Sequence, residues 1–278
     1  MRLTSVALMT LPAGRVHGLT LTCRRGTETL PISFDQRRHV GLVDRPGSWM
    51  AVSARLPRDT PGGTPGETPG RLAAAWLAVV ARHPTFRSAF ARTDDRLLLH
   101  RLEVLDAHWV DHGAGEDEEQ TRHLVRQVLD ATCRPYAEPS HRLLLIDPHD
   151  AAESPVVVVG SDHAHVDMWS MLVVLRDLVT AWADGPDRLG PRAADFADHT
   201  SALAALPPAP ASVRHRWWRA LAAGGDAMPC FPLPLGEVTA PVPERLVVRD
   251  VLDADEAADL EAYARAPTAP ARPPWPSR

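Results

Sequence analysis

Residues 156–182, VVVVGSDHAHVDMWSMLVVLRDLVTAW, constrain the fold of this chain more than any other stretch. A run of four valines ends at Gly160, a polar knot of Ser161, Asp162, His163, His165 and Asp167 follows, and an apolar-periodic segment runs from Met168 to Trp182. That order spells a buried strand, a tight polar turn and a helix. The knot sets two imidazoles and two carboxylates between elements that must both be buried, so their polar atoms need partners or a purpose. Chemistry is expected there.

The rest of the chain supplies a scaffold of alternating strands and helices. Residues 2–10 and 15–24 are β-rich runs separated by a Pro-Ala-Gly turn and read as a hairpin or as neighbouring strands, and residues 48–57 read as another strand. Residues 57–70, PRDTPGGTPGETPG, repeat proline and glycine and are expected to be a flexible loop. A helix is predicted over 71–83, with Leu72, Ala75, Trp76, Val79 and Val80 on one face. Further elements are expected at 96–104 (strand), 119–133 (helix, with Leu124, Val128 and Leu129 inward), 142–146 (strand), 191–206 (helix), and around Trp217, Trp218 and Leu221 (short helix). Residues 224–243 are Pro/Gly-rich and read as a linker, 244–252 as a strand, and Asp253-Ala-Asp-Glu256 as a capping box opening a helix to about Ala264. The tail 266–278 is expected to be disordered.

Charge and cysteines exclude several classes. The chain of 278 residues has a net charge of −5 with acidic and basic residues interspersed, which gives no footprint for nucleic acid or an anionic membrane. Cys23, Cys133 and Cys230 are odd in number and far apart, which fits a reducing compartment better than a disulfide framework or structural zinc. The N-terminal stretch is broken by threonine and serine and reads as a strand rather than a signal peptide, and no segment approaches the length of a membrane span. A cytoplasmic protein is expected.

Several chemistries compete for the knot. His163, His165 and Asp167 have the i, i+2, i+4 spacing of an HxHxD metal motif, similar to that of metallo-β-lactamase-like hydrolases, but the next ligand position is Met168, a poor partner for zinc. A metal-dependent hydrolase is therefore the least favoured reading, and no metal is expected. Ser161 or Ser170 as nucleophile lacks a G-x-S-x-G elbow. One imidazole as a general base needs only something to fix its ring and tautomer, while Asp167, at the helix start, can pair with an arginine or accept backbone N–H bonds. The bland alternative is that Asp162, His163 and Asp167 merely satisfy the turn and cap the helix.

Motifs in order along the chain favour the base. DHAHVDMWS, residues 162–170, resembles the HHxxxDGWS motif of nonribosomal-peptide condensation domains, members of the chloramphenicol-acetyltransferase-like, CoA-dependent acyltransferase superfamily. His163 falls on the motif's second histidine, Asp167 on its aspartate and Trp169-Ser170 on its WS. SFDQRRH, residues 33–39, resembles SxAQxRLW, and RHPTFRSAF, residues 82–90, resembles RHExLRTxF with Arg82, His83, Arg87 and Phe90 in register. ADFADH, residues 194–199, and RWWRAL, residues 216–221, loosely match two later blocks. Asp162 stands where the motif has its first histidine, and Met168 where it has glycine.

The resemblance implies an α/β fold, a chloramphenicol-acetyltransferase-like two-layer sandwich lobe whose mixed β-sheet is flanked by helices, with the histidine loop facing a tunnel. It implies His163 as the catalytic base or positioning group, Asp167 as organiser of the loop, Asp162, Arg87 and Trp169 as structural motif residues, and Met168 on the acceptor side of the tunnel. It implies no bound cofactor, with acyl-CoA or a phosphopantetheinyl carrier thioester as co-substrate, and a carrier protein, a second copy of the chain or a separate second lobe as partner. Residues 1–223 are expected to form the N-terminal lobe and 244–265 the start of the second, whose later motifs are absent. The expected function is acyl transfer to an amine or hydroxyl acceptor, with inactivity for want of the second lobe as one outcome. The alternative is a non-catalytic module that binds a carrier or regulates a biosynthetic assembly.

Overall fold

The computed structural model describes residues 9–41, 44, 46–57, 68–93, 96–223, 233–234, 236, 249 and 251–265. They divide into two units, Met1–Ala227 and Met228–Arg278. Most of the Thr-Pro-Gly loop, the linker and the strand expected at 244–252, nearly all of the first strand run, Cys230 and the tail lie outside the described residues.

In the first unit the elements are β1 (Gly14–Leu30), α1 (Phe34–Gly41), β2 (Trp49–Arg55), α2 (Thr68–Arg82), β3 (Ser88–Thr93), β4 (Arg96–Gly115), α3 (Glu118–Thr132), β5 (His141–Pro148), β6 (Val156–Asp162), α4 (Met168–Asp184), α5 (Phe196–Ala204) and α6 (Ala211–Ala223). The strands form one six-stranded sheet in the order β2-β6-β5-β1-β4-β3. The expected α/β sandwich lobe is present, with one correction. Every strand pairing is antiparallel, so the sheet is not mixed. Helices pack on both faces of the sheet at its centre, as expected.

Burial explains the composition of the central strands. On one face Leu19, Leu21, Leu143, Leu145, Val157 and Val159 pack against Trp76 and Val79 of α2 and Met171, Val174 and Leu178 of α4. On the other, Leu144, Ile146, Val156 and Val158 pack against Val125, Val128 and Leu129 of α3. A strand covered on both sides needs apolar residues at every position, which is why the valines of β6 do not alternate with polar residues. An uninterrupted valine run does not distinguish a parallel strand from a doubly covered antiparallel one. Here β5 and β6 form an antiparallel pair joined by residues 149–155, and no crossover helix intervenes.

The inward face of α2 is the one predicted: Leu72, Ala75, Trp76, Val79 and Val80 are all buried. The face of α3 is centred on Val125, with Leu124 only partly covered. β3 had no separate strand signal, because its apolar residues Ala89, Phe90 and Ala91 belong to a segment dominated by the preceding motif. The helix expected at 191–206 is confined to α5, capped by Asp195, whose side chain accepts from the Ala197 N–H. In the second unit the capping box is formed: Asp253 accepts from the Glu256 N–H at 2.9 Å and Glu256 accepts from the Asp253 N–H at 2.9 Å, opening α7 (Ala254–Arg265).

A glycine fixes how closely β4 meets the start of α3. A Cβ at Gly115 would lie 2.4 Å from the Thr121 nitrogen and 2.8 Å from its Cα, both backbone atoms that cannot swing aside. Gly115→Ala is expected to destabilise the fold by about 1–3 kcal/mol, the usual range for forced overpacking, read as a lower urea midpoint at unchanged slope.

Candidate functional site

The polar knot is the loop between β6 and α4, and its backbone is pinned from three sides. The His163 N–H donates to Ser48 O at 3.0 Å, the Asp162 N–H to Ser140 O at 2.9 Å and the His165 N–H to Asp162 O at 3.1 Å. From α1, the Gln36 amide donates to Ala164 O at 3.0 Å. Gln36 is itself fixed by a reciprocal cap: its N–H donates to Ser33 Oγ at 3.1 Å, and its Oε1 accepts from the Ser33 N–H at 3.1 Å. Thus the S-x-x-Q spacing both opens α1 and ties it to the loop.

His163 is exposed, unlike the core residues around it. Its Nδ1 lies 2.7 Å from the carbonyl oxygen of Val166. A carbonyl can only accept, so Nδ1 carries a proton, and in the neutral ring the lone pair is then on Nε2. A neutral imidazole with one nitrogen tethered and the other free is the arrangement a general base requires. His39 of α1 meets this ring edge-on, with centroids 5.8 Å apart and planes at 71°.

Asp162 is wholly buried, at 0% exposure. One carboxylate oxygen accepts from the Ala164 N–H at 2.8 Å and lies 3.3 Å from His39 Nε2; the other accepts from the Ser48 hydroxyl. His165 is also buried, its Nδ1 3.4 Å from Ser88 Oγ and its ring 5.2 Å from that of Phe90. Burial pushes its pKa down to about 4, with the Asp162 charge opposing and His39 adding to the shift. It is therefore a neutral core residue at neutral pH, and the described residues contain no group of three or more histidines, cysteines or acids able to hold a metal.

Asp167 caps α4. Its carboxylate accepts from the Ser170 hydroxyl at 2.6 Å and the Ser170 N–H at 2.7 Å, and these bonds hold its pKa below the usual carboxylate value. Of the two roles open to Asp167, the backbone one is realised, while Arg87 lies elsewhere. The Arg87 guanidinium donates to Ala81 O at 3.4 Å; burial lowers its pKa, helped by the like charges of Arg192 and Arg101. In that motif it is Arg82 and His83 that bind α4, placing Arg82 Nε at 2.9 Å and His83 Nε2 at 2.8 Å from the Asp177 carboxylate. Burial alone would raise the pKa of Asp177, but these partners and Arg176 hold it low.

Met168 is half-buried as the first residue of α4, and Trp169 is 75% exposed beside it. Phe34, at the start of α1, is 76% exposed. The structure therefore brings together His163, Asp162, Asp167 and Met168 in one loop and adds His39, Ser48 and Gln36, which were not singled out from the sequence. Only Gln36 had a sequence signal, its capping-box distance from Ser33. His39 and Ser48 reach the loop through tertiary packing. Of the cysteines, Cys133 is buried and its pKa is pushed up to about 12 by that burial, while Cys23 is partly buried. No described helix is long and apolar enough to cross a membrane.

No protein-family model matches the sequence, and no curated protein matches it. Among solved structures, PapA2 acyl transferase superposes with a TM-score of 0.63 at 18% identity, covering 86% of this chain and 54% of its own. The chain thus has the fold of that acyltransferase over most of its length and spans about half the length of that protein. The tallysomycin biosynthesis protein TlmII (25% identity, TM-score 0.49, 70% of this chain and 47% of its own) also matches. So does the condensation domain of chain release from the enacyloxin polyketide synthase (22% identity, TM-score 0.48, 75% and 40%). At those TM-scores the two overlaps do not bear on the fold.

Proposed function

We propose that this chain is a condensation-like acyltransferase lobe in which His163 assists transfer of an acyl group from a CoA or carrier-protein thioester to an amine or hydroxyl. The observation that carries the reading is the bond from His163 Nδ1 to Val166 O on an exposed ring, which in the neutral imidazole puts the lone pair on Nε2. As the acceptor attacks the thioester carbonyl, Nε2 takes its proton. The new C–N or C–O bond forms, the C–S bond breaks, and the proton passes from His163 to the departing sulfur, so thiol and acylated acceptor are the products. Asp167 keeps the loop in shape through Ser170, and Met168, the first residue of α4, borders the acceptor side. The partner is a carrier protein or acyl-CoA, and a second copy of the chain or a separate lobe closes the open face, in the cytoplasm.

The test is release of free thiol from an acyl-CoA and from an acylated carrier protein, with an amine and an alcohol as acceptors. Acceptor-dependent release above the uncatalysed rate with either donor is expected. If neither donor is consumed while the carrier still binds, the catalytic reading is overturned in favour of a carrier-binding module.

A further inference from the structure

Two of the residues that depart from the motifs resembled at this site approach each other. In the histidine loop, Asp162 occupies the position of the motif's first histidine; in SFDQRRH, His39 occupies the position of the leucine of SxAQxRLW. These changes lie far apart in sequence, on β6 and α1, yet His39 Nε2 is 3.3 Å from the buried Asp162 carboxylate. A carboxylate at 0% exposure is stable only with donors or a cation around it. Ala164 N–H and the Ser48 hydroxyl supply two donors, and His39 Nε2, which is buried and makes no hydrogen bond among the described residues, lies 3.3 Å away.

That imidazole stands against the reactive one. The His39 side chain is only 19% exposed, and its ring meets the His163 ring at 71° with centroids 5.8 Å apart. α1 cannot drift away, because Gln36 ties it to Ala164 O in the same loop and Val40, one residue on, is fully buried against Phe90 and Ala164. The Val166 carbonyl holds one nitrogen of His163, but a single hydrogen bond on an exposed turn leaves the ring free to rotate out and exchange tautomers.

We propose that His39 is a positioning residue for His163, a wall held beside Asp162 by α1 that keeps Nδ1 on Val166 and Nε2 toward the open face. Its importance for catalysis rests on the acyl-transfer reading above, but the geometry is tested without it. The full chain labelled with ¹⁵N-histidine reports the tautomer of each imidazole by long-range ¹H–¹⁵N correlation, the His163 signals being assigned by their loss in His163→Ala.

The wild type is expected to show His163 in the single Nδ1–H pattern. In His39→Ala this pattern is expected to shift to the exchange average of both tautomers. The same shift is expected in His39→Ala combined with Asp162→Asn, which leaves no buried charge unpaired and so guards against loss of fold in the single variant. Restoring a ring, as His39→Phe with Asp162→Asn, is expected to restore the single pattern. If acyl transfer is observed, kcat should fall about tenfold to a hundredfold in the alanine variants with little change in KM, as misplacement of a catalytic group does. A His163 that stays wholly Nδ1–H in either folded alanine variant overturns the proposal, whether or not the protein turns over a thioester. Absent turnover with the tautomer shift intact overturns only the acyl-transfer reading.

Discussion

Replacing His163 by alanine is expected to lower acceptor-dependent thioester consumption about 10²- to 10⁴-fold, the usual contribution of a positioned acid or base. Little of that loss should reflect unfolding. The ring is exposed, and the one bond it makes through Nδ1, to Val166 O, contributes only about 0.5–1.5 kcal/mol. The loop's backbone bonds to Ser48, Ser140 and Gln36 do not involve this side chain and persist. Because the proton moves only as the acceptor attacks, the loss should appear in kcat and kcat/KM together, with KM nearly unchanged. Parallel urea titrations of the two proteins check that the fold is intact.

Lowering the pH from 7 to 5 is expected to destabilise the first unit by about 4 kcal/mol. The two largest contributions come from histidines that fold neutral. His141 lies between Trp76 and Phe86, with ring centroids 5.4 Å and 4.7 Å away, and its Nε2 is 3.0 Å from Phe86 O. Burial pushes its pKa down to about 3, and burial takes His165 to about 4. In the unfolded chain both titrate near 6.5. Above that value neither state binds the protons and the stability is fully present. As the pH falls below it the unfolded state takes them up while the folded state does not, so stability declines until the folded values are reached.

At pH 5 each histidine accounts for about 2 kcal/mol, at roughly 1.4 kcal/mol per pH unit below 6.5. The carboxylates held low, Asp111, Asp167 and Asp177, do not enter this window, since their contribution is lost only below the ordinary carboxylate value of 3.8. Urea unfolding at pH 7 and pH 5 measures the difference. His141→Gln, which keeps a donor toward Phe86 O and cannot titrate, is expected to remove about half of it.

Local signals and long-range contacts divide what the sequence made legible. The 3.6-residue periodicity of α2 named its buried residues one by one, and the Asp253–Glu256 box named the start of α7, because each depends on residues only a few positions apart. Strand direction was not legible. The valines of β6 require cover on both faces, and that requirement is the same for a parallel strand between helices and for an antiparallel strand between β2 and β5. The loop's composition marked the site, and its motif spacing separated His163 from His165. The structure adds the reason: one imidazole lies exposed with a tethered nitrogen, the other is enclosed by Phe90 and Ser88. His39 and Ser48 were silent because their role exists only once α1 and the start of β2 are folded onto Asp162.

The account stands on the free Nε2 of His163, and carbethoxylation tests it most directly. The protein is treated with diethyl pyrocarbonate for increasing times at neutral pH, modified histidines are mapped by peptide mass spectrometry, and residual thioester turnover is measured on the same samples. His163 is expected to be modified while the enclosed His141 and His165 stay intact, and turnover to fall in proportion to the His163 occupied. Turnover that survives full modification of His163 would contradict the assignment.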